Sequence, residues 1–393
     1  MPWKDTCVLD QRMRFMMDYE IGNESLAALC RMYGISRPTA YKWLARYAAG
    51  GVAALADRSR ARRHHPNAVA PPIEQAVVAA RRRYPRWGPK KLRQRLEDDH
   101  PDQDWPAPST IGEILNRHGL TVRRKRRRRT EPYTQPFTGC NGPNTVWCGD
   151  HKGWFRTGDG SRCVPLTISD AYSRYLLRCQ ATTDTGYESA RGLFEAAFRE
   201  YGLPRAIRTD NGSPFASRGI GGLSRLSVWW IKLGIVPERI DPGHPEQNGR
   251  HERMHLTLKQ ETAMPPARTL RAQQRVFDRF RQEYNNQRPH EALGQTCPGS
   301  VYAASPRPYP EREPEVGYGS GLAVRIVQAR GEFYWKHQRV FLGEAFCRES
   351  VGLEPVDDRY RKVYFRTVLL GVFDSYELRV LKLGEARRRL ELP

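Results

Sequence analysis

Hydrophobic positions change their period along the 393 residues, and each change predicts a different architecture. Residues 10–48 read as helices, and in SLAALCRMYGISRPTAYKWLARY Leu26, Leu29 and Met32 fall at helical spacing. Gly34 breaks that helix, Ser36 can cap the next, and Tyr41 to Tyr47 continues it. Helix, glycine-bearing turn, helix is the helix-turn-helix layout. A second helical stretch, from Ile73 to about Leu120, carries Ile111, Ile114 and Leu115 on one face, with Ser109 as its candidate N-cap. From Asn144 strands and helices alternate. TVWCGDHKGWF and RCVPLTISDAYSRYLLRCQAT predict three strands, TGYESARGLFEAAFREYG a helix, PRAIRTD a short strand and LSRLSVWWIKLG a helix. Helices from about Pro245 to Gln260 and from about Leu270 to Tyr284 follow. That order predicts a mixed sheet with helices packed against it. After a Pro- and Glu-rich stretch, the short alternations of LAVRIVQARGEFYWKHQRVFLG and RKVYFRTVLLGVF predict a small antiparallel β-barrel.

The chain therefore reads as a multidomain α+β protein. Residues 1–56 form a helix-turn-helix unit, 57–72 a basic, Pro-bearing linker and 73–122 a second helical DNA-binding unit. Residues 123–143 form a basic linker, 144–302 the α/β core, 303–316 a linker and 317–393 the small barrel.

Charge narrows the partners. The net charge is +22, and residues 1–130 hold 27 Lys and Arg against 13 Asp and Glu. A surplus of this size points to a polyanion, most often nucleic acid, with the first third of the chain as its footprint. The second helix of the helix-turn-helix carries Arg37, Thr39, Tyr41 and Lys42 near its start, where a recognition helix reads base edges. A plain helical hairpin would share the pattern, but not the charge. Arg123, Arg124, Lys125, Arg126, Arg127, Arg128 and Arg129 are seven consecutive cations. Such a block cannot pack, and it suits a flexible arm that tracks phosphates. The eight cysteines form no C-x-x-C pair and read as reduced thiols of a cytosolic protein. Neither a leader-type apolar region nor a run of membrane length is present, so a soluble protein with no membrane partner is expected.

Three acids carry the candidate chemistry. Asp150 ends the strand TVWCGD, Asp210 ends PRAIRTD, and Glu252 lies on the helix of PEQNGRHERMHLTLKQ. In RTDNGSPF the Asp-Asn-Gly also reads as a turn. Two strand-end Asp residues can point into one crevice, and a helix passing over that edge can bring a Glu to face them. Converging carboxylates repel, and divalent cations relieve the repulsion; hard oxygen ligands suit Mg²⁺ or Mn²⁺. Two such ions about 4 Å apart would activate an attacking oxygen and stabilise the leaving oxygen of a phosphodiester. Lys259 recurs with Glu252, His255 and Leu256 along one helix face, from which it could reach phosphate or simply be solvated. Asp170 reads as a turn residue between strands, and Arg288 and His290 as either DNA-orienting or helix-capping.

The ordered set VWCGDHKG, LTISDAYSRYLL, RTDNGSPF, PEQNGRHER and YNNQRPHEAL resembles insertion-sequence transposases with a retroviral-integrase-like core. SLAALCRMYGISRPTAYKW, RWGPKKL and STIGEILNRHGL extend the resemblance over nearly the whole chain. It implies an RNase H-like core whose Asp-Asp-Glu triad binds metal, and Asp150, Asp210 and Glu252 are the positions that fit. Asp241 and Glu246 are extra acids nearby, but Glu252 sits three residues past Asn248-Gly249, as in the family motif. The implied activity is metal-dependent cleavage of element ends and transfer of the 3′-OH into target DNA, in a bacterial, nucleoid-associated setting. A homo-oligomer pairing two double-stranded ends is implied as well, and a helper ATPase is left open. Rival readings are a non-catalytic DNA-binding regulator of the same fold, a nuclease without joining activity, and a tyrosine recombinase prompted by Tyr284 near Arg288 and His290.

Overall fold

The computed structural model describes residues 7–59, 68–121, 139–217, 219–240, 249–314 and 317–390. Arg123 to Arg129, Asp241 and Glu246 lie outside these residues. The chain divides into two compact units, Met1–Ala70 and Pro71–Pro393.

In the first unit α1 (Val8–Ile21), α2 (Leu26–Met32) and α3 (Arg37–Gly50) close around Phe15, Met16, Leu29, Cys30, Ala40, Trp43 and Leu55. Ser25 caps α2 by accepting from the Ala28 N–H, and Ser36 caps α3 by accepting from the Thr39 N–H. Gly34, at φ +64°, makes the turn between them, where a side chain would strain the backbone. The helix-turn-helix reading holds, with α3 starting at Arg37 directly after its Ser36 cap.

The second unit opens with α4 (Pro71–Arg83), α5 (Pro89–Asp99) and α6 (Pro108–Arg117), packed through Val77, Leu92, Leu96, Ile111, Ile114 and Leu115. Ser109 is not the cap of α6. The helix starts at Pro108 with Ala107 as its N-cap, because proline's fixed φ suits the first helical position. These helices dock on the core. The Tyr84 hydroxyl donates to Gln287 Oε1 at 3.2 Å, and the Arg288 guanidinium lies 5.8 Å from the Trp87 ring centre.

The core sheet contains β1 (Val146–His151), β2 (Phe155–Arg156), β3 (Arg162–Asp170), β4 (Leu176–Thr182), β5 (Ala206–Thr209) and β6 (Val236–Arg239). β3 pairs antiparallel with β1, β2 and β4, whereas β1–β5 and β5–β6 are parallel. α7 (Tyr187–Tyr201) and α8 (Arg225–Lys232) cover one face through Trp147, Leu166, Ile168, Ile207, Phe194 and Trp230. α9 (Gly249–Thr262) and α10 (Leu270–Asn286) cover the other through Met254, Leu258, Phe277, Phe280 and Tyr284. A short α11 (Pro298–Val301) follows. The predicted mixed sheet with flanking helices is present. β6 went unpredicted because VPER is a polar edge strand whose pairing comes only from β5.

Gly149 in VWCGD is set by this packing. A Cβ there would lie 2.8 Å from Phe194 Cζ, inside the close contact of α7 on β1. Gly149→Ala should cost about 1–3 kcal/mol by overpacking, read as a lower midpoint in denaturant with an unchanged m-value. An unchanged midpoint would mean that Phe194 can give way.

The C-terminal region contains β7 (Ala323–Ile326), β8 (Glu332–Trp335), β9 (Gln338–Phe341), β10 (Ser350–Pro355), β11 (Tyr360–Phe365), β12 (Val368–Asp374), β13 (Arg379–Lys382) and α12 (Leu383–Leu390). Among the described residues it is not a barrel. The strands run β13-β12-β11-β10-β7 in an open antiparallel sheet, with β8–β9 as a separate hairpin. Strands of four residues at both edges and in the hairpin offer too few ladder positions for the stagger that closure demands. The hairpin instead closes a shared apolar core through Phe333 and Val340, which also takes in Val228 and Ile231 of α8. That explains why α8 is apolar all round: Leu226, Trp229 and Trp230 face the core sheet, and Val228 and Ile231 face the C-terminal sheet.

Candidate active site

The parallel register of β1 and β5 places Val146 beside Ala206, Trp147 beside Ile207 and Cys148 beside Arg208, an offset of 60. Continued by two residues, it brings Asp210 level with Asp150. Side chains paired across parallel strands share a face, so two carboxylates 60 residues apart leave one sheet edge side by side. Asp210 serves its turn as well. Its Oδ1 accepts the Gly212 N–H at 3.1 Å, and Asn211 Nδ2 donates to the Ile240 carbonyl at 3.0 Å. A Cβ on Gly212 would sit 3.0 Å from Asp210 Oδ2, so glycine keeps that oxygen uncovered. The turn reading of RTDNG holds, and it leaves the second carboxylate oxygen of Asp210 without a bond inside the turn.

Glu252 stands in the first turn of α9, exposed. Its charge, with that of Asp210, acts on Asp150: burial first, then Asp210 and more weakly Glu252 push the Asp150 carboxyl up to about 7. Asp210 and Glu252 thus both lie within electrostatic reach of Asp150 at the end of the β1–β5 pair.

Under Asp150 lies a group that sequence reasoning missed. Thr167 is directly opposite Asp150 across β1–β3, and Ser169 is two residues further on the same face. His251 and His255, one turn apart on α9, cover them. Thr167 Oγ1 is 2.7 Å from His251 Nε2 and 2.7 Å from His255 Nε2; Ser169 Oγ is 3.0 Å from His251 Nδ1. His255 Nδ1 is 3.6 Å from Asp150 Oδ2. Burial pushes His251 down to about 3 and His255 well below its usual range, so both imidazoles are neutral at pH 7. The predicted single face of Glu252, His255, Leu256 and Lys259 therefore splits. His255 turns under to the sheet, while the other three stay exposed. The i, i+4 spacing of the two histidines, facing alternate polar residues of LTISD, was the available signal. Lys259, with Lys152 and Trp154, lines a groove of about 110 Å³.

Residues 141–245 and 233–298 each match the integrase core domain, residues 11–64 a helix-turn-helix domain and residues 39–115 a homeodomain-like domain. The chain is 33% identical over 202 residues to the insertion element IS407 uncharacterized 31.7 kDa protein of Burkholderia multivorans, spanning 50% of this chain and 69% of that protein. It is 31% identical over 260 residues to the insertion element IS476 uncharacterized 39.2 kDa protein of Xanthomonas euvesicatoria, spanning 63% and 70%. The chain belongs to the insertion-sequence transposases with an integrase core. Among solved structures, the HTLV-2 integrase catalytic core domain in complex with magnesium is similar at 16% identity and a TM-score of 0.33, over 41% of this chain and 98% of that one.

The transposase is a polynucleotidyl transferase of the Asp-Asp-Glu type. Its other singled-out residues sort by burial. Tyr284 is buried and its hydroxyl is pushed up to about 12, so it is no nucleophile, and the tyrosine-recombinase reading fails. Arg288 is an internal tie: one terminal nitrogen reaches both oxygens of Glu261, at 2.8 and 3.0 Å. His290 packs edge-on against Tyr284 with ring centres 4.7 Å apart. Asp170 is the turn residue expected, accepting from the Asn144 and Ser173 N–H groups. On α3, Arg37, Tyr41 and Lys42 are exposed, whereas Thr39 is half-buried with its hydroxyl 2.9 Å from Ser36 Oγ. All eight cysteines are free, and Cys30, Cys148, Cys163 and Cys179 are buried. Among the described residues no helix is long and apolar enough to cross a membrane.

Proposed function

We propose that Asp150, Asp210 and Glu252 are the metal ligands of the transposase and hold a pair of Mg²⁺ or Mn²⁺ ions. The observation that carries this is the β1–β5 register, which sets Asp150 and Asp210 at one sheet edge, with the half-buried Asp150 carboxyl pushed up to about 7 by desolvation and by the charges of the two other acids. A site that resists its own ionisation is relieved by cations, and an all-oxygen donor set fits hard ions. When bound, such ions lower the pKa of an attacking hydroxyl and neutralise charge on a leaving oxygen. The chain's residues hold the scissile phosphodiester at this edge. Water opens it at the element end, leaving a 3′-OH; that 3′-OH then attacks a target phosphodiester, forming one bond as another breaks.

DNA positioning is shared among three sets of basic and polar residues. Arg37, Tyr41 and Lys42, with Thr39 beside them, read the end sequence from the start of α3; Arg123 to Arg129 follow phosphate, and Lys259 holds phosphate next to the acids. Two ends need two cores, so the working form is a homo-oligomer on paired DNA, acting in the cytoplasm. The deciding experiment incubates labelled end duplex and plasmid target with full-length protein and Mg²⁺ or Mn²⁺. Labelled strand covalently joined to target, abolished by EDTA, is the expected result. Cleaved ends with no joined product would establish the nuclease reading instead.

A further inference from the structure

Once Asp150 is ionised, as it must be to hold a cation, the polar cluster beneath it has only one proton arrangement in which every contact is favourable. The Asp150 carboxylate only accepts. Among the described residues Asp150 is the one ion-pair partner of His255 Nδ1, which makes no hydrogen bond, so a favourable contact at 3.6 Å to the carboxylate requires the proton on Nδ1. His255 Nε2 is then bare and must accept, at 2.7 Å, the single proton of Thr167. Thr167 then accepts from His251 Nε2–H, also at 2.7 Å. His251 Nδ1 is left bare and accepts from the Ser169 hydroxyl at 3.0 Å. The donations run in one direction, from Ser169 through His251, Thr167 and His255 to Asp150. The competing arrangement sends the Thr167 proton to the Asp150 carbonyl at 3.2 Å. Both imidazoles must then donate to Thr167, and the His255 Nδ1 lone pair faces the Asp150 carboxylate, acceptor against acceptor.

Asp150, His251 and His255 could also be read as a nitrogen-rich metal site, since their ligand atoms lie within 4.8 Å of one another. Both nitrogens of His251 are already engaged by hydroxyls, which argues against that. Ser169, His251, Thr167 and His255 are all buried, with Thr167 fully enclosed, so water does not compete for these bonds.

We propose that Ser169, His251, Thr167 and His255 form a one-directional hydrogen-bond relay that orients the Asp150 carboxylate for metal binding, His255 being a positioning residue and not a ligand. This rests on Asp150 being a metal ligand. At 3.6 Å the final contact is a directed N–H dipole on a charge rather than a short hydrogen bond. Outer-shell partners of this kind are worth about 10–100-fold in metal affinity.

The test uses the full chain with Mn²⁺ as probe and reads free Mn²⁺ by electron paramagnetic resonance. Thr167→Val keeps the shape and removes the junction hydroxyl; it should weaken Mn²⁺ binding about 10–100-fold, while Thr167→Ser restores wild-type affinity. Nitrogen NMR on ¹⁵N-histidine protein should show His255 as the Nδ1–H tautomer and His251 as Nε2–H. Wild-type Mn²⁺ affinity in a folded Thr167→Val protein overturns the relay, as does a ¹⁴N coupling from His255 to bound Mn²⁺. Should Thr167→Val fail to fold, Ser169→Ala at the relay's far end replaces it. His251 then shifts toward Nδ1–H and Mn²⁺ affinity falls several-fold; no change in either overturns the proposal. Asp150→Asn separates the two levels, because undiminished Mn²⁺ binding in that variant refutes the metal-ligand reading itself.

Discussion

Asp150→Asn is expected to abolish cleavage and joining and, in the metal-free protein, to raise stability at alkaline pH. The first effect follows from removing a ligand. Stabilisation by a bound metal is worth several kcal/mol of transition-state energy, and about 1.4 kcal/mol is tenfold in rate, so turnover should fall a thousandfold or more. Asp210→Asn and Glu252→Gln should do the same, with end-DNA binding held within a few fold because none of the three reads bases. The second effect is a matter of sign. The carboxyl of Asp150 is raised in the fold from the ordinary 3.8 to about 7. The folded state therefore favours the protonated form, and stability falls as pH rises from about 4 through about 7. A carboxyl raised that far costs the folded state about 4 kcal/mol at pH 8. Asparagine carries no such charge. The metal-free variant should melt above the wild type at pH 8, with the gap narrowing at pH 5 and disappearing near pH 4. Mn²⁺ should raise the wild-type melting temperature at pH 8 much more than the variant's. Equal melting of the two metal-free proteins at pH 8 and pH 5 would show that Asp150 bears no buried-charge penalty. Activity retained in Glu252→Gln but abolished in Glu246→Gln would move the third ligand.

The second large effect concerns specificity. Arg37→Ala with Lys42→Ala should cut affinity for the true element end far more than affinity for random duplex. A side chain that reads a base edge is worth about 1–3 kcal/mol of discrimination, so the pair should shrink the specificity ratio by an order of magnitude or more. Both residues are exposed at the start of α3, whose buried side is anchored by Ala40 and Trp43. Substitution there should therefore leave the unit's core intact. Replacing Arg126 to Arg129 by Gln should instead weaken both duplexes about equally. It should also flatten the salt dependence by about 0.9 in log–log slope for every phosphate the arm no longer neutralises. Competition binding of true-end against random DNA at two salt concentrations measures both. If the arm variant loses specificity and the helix variant keeps it, the roles are reversed, and the arm reads a groove.

Much of this was legible in the amino-acid order, because the signals are local. Helical periodicity, Gly34 and Ser36 determined the helix-turn-helix, since a left-handed turn and an N-cap are properties of single residues and their immediate neighbours. Short apolar runs between helical stretches marked the core strands, and the strand-end positions of Asp150 and Asp210 and the helical position of Glu252 pointed to one crevice. What the order of residues could not supply was register and closure. That Asp150 and Asp210 share a level follows from an offset of 60 between β1 and β5, set by how two distant strands pair. Strands that alternate like a barrel's stayed an open sheet, because whether edges meet depends on stagger summed over all strands and not on the pattern within any one. Arg288 and Tyr284 looked like chemistry and proved to be packing, because only the fold shows that Glu261 and Trp87 meet the one and that the other is enclosed. His251 and His255 went the other way. A buried imidazole has no period and no fixed proton, and its role is written by the hydroxyl that faces it, here a threonine 84 residues from one histidine and 88 from the other, on the strand opposite Asp150.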